Sequence, residues 1–127
     1  MKEGGDTFRD VLDQSVLASL RELQEAGDPD IVAEVGGLFI KHSPEKVDAI
    51  MQSVEKDDAK GLQLAAHSLK SSSANVGAMK LHGLCRELEA QARDRQLADA
   101  AERVADLERE FLAAQAILRR ELPEDSG

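Results

Sequence analysis

The sequence predicts an all-α fold: an up-and-down antiparallel four-helix bundle with additional short helices at its N-terminal end. Apolar residues return every three or four positions through nearly the whole chain, the spacing of one helix face. No strand pattern of strict two-residue alternation competes with it. The 127 residues include three Phe but neither Trp nor Tyr, so the core must be built from Leu, Val, Ile and Ala, which suits packed helices better than a sheet sandwich. This length is enough for one domain with a real core and too short for two.

Taken in order, residues 1–7 are glycine-rich and polar and residues 123–127 are similar, so both ends are expected to be loose around a bundle over 8–122. Leu12, Val16, Leu20 and Leu23 give a first helix, which Gly27 stops. Asp28 and Pro29 form an N-cap and first-turn pair for a second helix, with Ile31 or Val32, Val35, Leu38 and Phe39 inward and Gly36-Gly37 weakening it. Ser43-Pro44 repeats the start signal for a third, carried by Val47, Ile50, Met51 and Val54 and ending near Lys56. Asp57 or Asp58 caps a fourth that runs to about Val76, where Gly77 supplies the left-handed residue that ends a helix. A fifth runs from about Met79 to Arg93 on Leu81, Leu84, Cys85, Leu88 and Ala92. The last carries Leu97, Ala100, Val104, Leu107, Phe111, Ala114 and Leu118, stepping by three and four as the seam of a bundle helix does. Short connections between long helices place neighbours antiparallel.

Several functions are excluded by composition. With 25 acidic against 16 basic residues and a net charge of −9, the chain lacks the concentrated positive surface that binding a nucleic-acid backbone needs. A single cysteine, Cys85, rules out an internal disulfide. No apolar run approaches the ~18–20 residues of a membrane span, and the N-terminus lacks a signal-peptide core. A cytoplasmic protein without membrane insertion is expected. There is no glycine-rich nucleotide loop and no carboxylate cluster suited to Mg²⁺, so no cofactor of its own, no ATP binding and no autophosphorylation are expected.

The stretch AAHSLKSSSANVGA, residues 65–78, concentrates the functional signal. At about 100° per residue, Leu62, Ala65, Leu69 and Val76 cluster on one side of the fourth helix, and His67 falls roughly 160–200° from their centre. His67 should face solvent, with Lys60, Lys70, Ser71 and Ala74 on the same side and Gln63 and Leu64 flanking. These neighbours are small or flexible, so a partner protein could approach the ring closely. From Ala59 to Arg86 there is no Asp or Glu, although acids make up 25 of the 127 residues, while Lys60, Lys70, Lys80 and Arg86 all lie in that stretch. A positive island around an outward histidine is what a site accepting a dianionic group requires. Lys70, one turn along, is placed to hydrogen-bond such a group. Taken alone, position and charge also allow an ordinary polar surface histidine and serines chosen for their size.

Other readings stay open at this level. A helical bundle can dock partners without carrying phosphate. His82 and Cys85, at i and i+3, could contribute to a metal site, but Cys85 falls on the apolar stripe and no further ligand pair is visible. His42, just before Ser43-Pro44, reads as a helix-end histidine. The last helix could pair as a coiled coil, yet its seam is needed to close the bundle, so a monomer is expected.

HSLKSSSANVGA, from His67 to Ala78, closely resembles the signature of the histidine-containing phosphotransfer (HPt) domains of two-component phosphorelays. The resemblance extends to Leu38-Phe39 and Pro44 before it and to Leu81 and the segment Leu84 through Glu89 after it. It implies that His67 is the phosphoryl acceptor, through Nε2, and that Lys70 steadies the phosphate. It also implies that Glu89 occupies a position whose polar side chain touches the other ring nitrogen, fixing the tautomer. Gly77 matches the family's turn glycine. Ser71 stands where many members carry glycine, and its small size keeps the approach open. The implied partners are receiver domains of response regulators or hybrid histidine kinases, bringing a phospho-aspartate and Mg²⁺, in a bacterial setting. On this reading the chain is a phosphoryl carrier without kinase activity of its own.

Overall fold

A computed structural model describes residues 11–25, 27 and 30–121. The loose ends expected at 1–7 and 123–127, the outer bounds of the bundle at 8 and 122, and the Asp28-Pro29 start signal lie outside these residues. The described residues form five helices: α1 (Gln14–Leu23), α2 (Ile31–Glu55), α3 (Ala59–Asn75), α4 (Met79–Arg93) and α5 (Ala100–Glu121). No strand occurs among them.

Where two helices were expected between residues 29 and 56, there is one. Its N-cap is Asp30, whose carboxylate accepts from the backbone N–H groups of Val32 and Ala33, and Pro44 lies in its interior. A proline there removes one backbone bond and costs about 3 kcal/mol. The helix continues because its buried face, Val32, Gly36, Phe39, Ser43, Val47, Ile50 and Ser53, keeps one unbroken 3.6-residue register through the proline. Burying each large apolar side chain returns about 1.5–3 kcal/mol, so the continuous face outweighs the break. His42 therefore sits in mid-helix rather than at a helix end.

The four long helices close into a ring. Each packs on the next along the chain, and α5 returns against α2, where the Phe39 and Phe111 rings meet at a centroid distance of 5.9 Å. The turn after α2 and the turn after α4 lie at one end, since Asp57 and Arg95 line the same depression. The turn after α3 is packed under α1. There Gly77 takes φ +80°, and its carbonyl accepts from the backbone N–H of Asp13 at 2.7 Å. A side chain at Gly77 would meet the Asp13 carbonyl oxygen at 2.8 Å, so this glycine is required both by its backbone angle and by the close approach of α1.

The core holds Leu62, Ala66 and Leu69 of α3, Leu81, Cys85, Leu88 and Ala92 of α4, and Ala100, Val104, Leu107, Phe111, Ala114 and Leu118 of α5, all buried. Several stripe residues differ from expectation. Leu17, not Val16, is the buried residue of α1, while Leu23, Leu38 and Met51 are exposed. Each stands at the margin of its stripe, where a periodicity cannot tell the rim from the centre. No helix among the described residues is long and apolar enough to cross a membrane.

Candidate functional site

The site is built by two helices, with α3 supplying His67 and Lys70 and α4 supplying Glu89. On α3 the stripe Leu62, Ala66, Leu69 and Ser73 is buried, which turns His67 outward with 64% of its side chain exposed. On α4, Cys85, Leu88 and Ala92 face the core, and Glu89, beside Leu88, is left at the seam between α3 and α4 with a side chain only 12% exposed.

Glu89 joins the other two residues. Its Oε2 lies 2.9 Å from His67 Nδ1 and its Oε1 lies 2.7 Å from Lys70 Nζ. Partial burial pushes the Glu89 carboxyl up, but the hydrogen bonds from Lys70 and His67 outweigh it and hold the group below its ordinary value. The carboxylate can only accept, so Nδ1 carries the proton and the neutral ring has its lone pair on Nε2. Among the described residues none hydrogen-bonds that second nitrogen.

The remaining partner-surface residues singled out from the sequence lie on α3 to either side of His67. Lys60, Leu64 and Ser71 are exposed as expected of the outward face and Gln63 is half-buried at its flank, whereas Lys70 and Ala74, expected to face outward, are half-buried. His82 and Cys85 do not form a pair of ligands. His82 Nδ1 bonds the Lys70 carbonyl oxygen at 3.1 Å, tying α4 to the turn of α3 that carries the site. Cys85 is fully buried against Ser73. Among the described residues no group of three His, Cys, Asp or Glu is arranged to hold a metal ion.

The periodicity did not reveal two features. Lys70 bonds across to Glu89, a contact spanning two helices that the acid-free stretch around His67 gave no reason to expect. Lys46 reaches from α2 to the Ser72 hydroxyl at 2.7 Å and, with Val35, Leu38, Phe39 and His42, borders a groove of about 680 Å³ that His67 does not line.

A family model for the Hpt domain matches residues 34–117, which include α3, α4 and most of α2 and α5. The chain is 37% identical over 72 residues to histidine-containing phosphotransfer protein 5 of Arabidopsis thaliana, covering 54% of this chain and 46% of that protein. It is 30% identical over 93 residues to pseudo histidine-containing phosphotransfer protein 2 of Oryza sativa subsp. japonica, covering 72% and 62%. The chain thus spans about half to two thirds of the length of these plant relatives. Among solved structures, histidine-containing phosphotransfer protein B of Pseudomonas aeruginosa PAO1 superposes with a TM-score of 0.79 at 35% identity, covering 87% of this chain and 93% of that one. The relatives span plants and a bacterium, so an exclusively bacterial setting does not follow. The helical order, the outward histidine and a match over most of the bundle agree: the chain belongs to the Hpt domain family.

Proposed function

We propose that this protein is a phosphorelay intermediate that accepts a phosphoryl group on His67 Nε2 from a receiver-domain phospho-aspartate and passes it to another receiver's aspartate. The observation that carries the reading is the exposed His67 ring with Nδ1 held by Glu89. In the forward step the Nε2 lone pair attacks phosphorus in line, the bond from phosphorus to the aspartyl oxygen breaks, and its electron pair stays on the released carboxylate. Nδ1 keeps its proton throughout, so the positive charge that develops on the ring faces the Glu89 carboxylate. The reverse attack, by a second receiver's carboxylate, returns the electron pair to Nε2. Lys70 adds a cation one turn from the ring, and Mg²⁺ bound by the receiver would supply further charge neutralisation. Nothing in this mechanism uses ATP, so the chain carries phosphate rather than generating it.

The partner surface is the outward face of α3: Lys60, Gln63, Leu64, Ser71 and Ala74. Lys70 beside His67 counts against a module that docks receivers without carrying phosphate. Burial of the α5 seam inside the bundle supports a monomer, and the family's role in relays supports a cytoplasmic location. The test is transfer from a panel of phosphorylated receivers to wild type and to His67→Gln. Wild type should be labelled by at least one receiver, and the variant by none, with its stability nearly unchanged because the side chain is exposed. Equal labelling of the variant would refute the assignment.

A further inference from the structure

We propose that Glu89 is a positioning residue that limits the lifetime of the phosphorylated state by holding Lys70 back from the phosphate. The proposal rests on the reading of His67 as the acceptor. Both oxygens of the Glu89 carboxylate are in use, one on His67 Nδ1 at 2.9 Å and the other on Lys70 Nζ at 2.7 Å. The two contacts are of different value to the relay. The bond to Nδ1 leaves the lone pair on Nε2 and helps the attack. The bond to Lys70 occupies the cation that would otherwise face the phosphate.

A phosphoryl dianion on Nε2 therefore has to compete with Glu89 for one ammonium group. Lys70 has only 24% of its side chain exposed and Glu89 12%, so their bond is less screened than a surface pair and is given up less readily. If Lys70 stays, the phosphate lacks its nearest cation. If Lys70 moves, its bond to Glu89 is broken and that half-buried carboxylate oxygen loses its cation. Either arrangement raises the free energy of the phosphorylated state, and so favours departure of the group to a receiver or to water. A neutral amide in place of the carboxylate would separate the two effects. The side-chain oxygen of glutamine can accept from Nδ1 as the carboxylate does, and it offers Lys70 no charge.

The experiment uses the full chain as wild type, Glu89→Gln, Lys70→Ala and the double variant. Phosphoramidate is the donor: its P–N bond breaks with the electron pair going to the departing ammonia, while phosphorus bonds to Nε2. After removal of the donor, phosphorus NMR follows hydrolysis, in which a water oxygen attacks phosphorus and the P–N electron pair returns to the ring. Glu89→Gln should lengthen the half-life about fivefold, the order of effect of one partly screened charge contact. Nitrogen NMR should show the proton still on Nδ1. Adding Lys70→Ala to Glu89→Gln should abolish the gain. An unchanged or shorter half-life in Glu89→Gln would overturn the proposal, and so would a gain that survives loss of Lys70. If wild type forms no phosphohistidine at His67, the acceptor reading itself fails and this proposal with it.

Discussion

The three serines that follow Lys70 have hydroxyls in three different environments. Ser71 is exposed beside the site, Ser72 accepts from Lys46 at 2.7 Å, and Ser73 is buried, donating to the Leu69 carbonyl at 2.7 Å. Ser73 also touches the Cys85 thiol, which burial pushes up to about 12 from 9.0, with Ser73 and Lys70 pulling it partly back. The native state thus favours the neutral thiol. Its contribution is fully present below about pH 9 and is lost as pH rises from there toward 12, because the unfolded chain releases the proton first. The stability advantage of wild type over Cys85→Ala should therefore shrink by roughly 2.7 kcal/mol between pH 8 and 11, at 1.36 kcal/mol per pH unit above the unfolded value of 9.0. Urea titrations at both pH values measure this, and a constant difference would show that the thiol ionises freely in the fold. Of these residues, the outward position of His67 and the inward one of Cys85 were legible, since each follows from its own helix's period. The Lys70–Glu89 bond was not, because it depends on how α3 and α4 are rotated against each other.

At the scale of the element, helix ends decide most of what the sequence made readable. Asp58 caps α3 through the Gly61 N–H, and α4 has the limits Met79–Arg93 read from its stripe. Ser43-Pro44 carries a local stop and start signal that predicts two helices, but the apolar register runs through it and one helix, α2, forms. Three helices end in the same way, the N–H two residues past the C-cap reaching back to a carbonyl five positions earlier: Asp58 to Ser53, Ala78 to Ser73 and Gln96 to Gln91. The motif requires a left-handed residue in between. Gly77 meets it without strain, whereas Asp57 and Arg95 both take φ 57°. Arg95→Gly should stabilise the fold by about 0.5–1 kcal/mol, from relief of the left-handed strain less the added entropy of the unfolded chain. Asp57→Gly should gain less, since aspartate tolerates this conformation better. Thermal unfolding of the two variants checks both the sign and the order, and a loss of stability at Arg95 would contradict the origin given for the strain.

For the whole molecule, the bundle holds one α3 face open while the Leu62, Ala66 and Leu69 stripe of that helix is buried. His82 contributes through its bond to the Lys70 carbonyl, and Gly77 by letting α1 close over the turn beyond the site. The open face makes docking separable from chemistry. Ser71→Arg or Ala74→Trp should slow transfer from a receiver by about a hundredfold or more, the cost of misplacing reacting groups by ~1 Å. Both variants should remain folded, and both should still be phosphorylated by phosphoramidate, which needs no docking. Normal receiver-driven transfer in both would mean that the partner approaches another face. The acceptor role of Nε2 is tested most directly by phosphorus and nitrogen NMR of the wild-type protein after treatment with phosphoramidate. The expected result is a single phosphoryl group on His67 Nε2 with Nδ1 still protonated, retained in His42→Gln and His82→Gln and absent in His67→Gln. A phosphoryl group on Nδ1, on His42 or on His82 would contradict it.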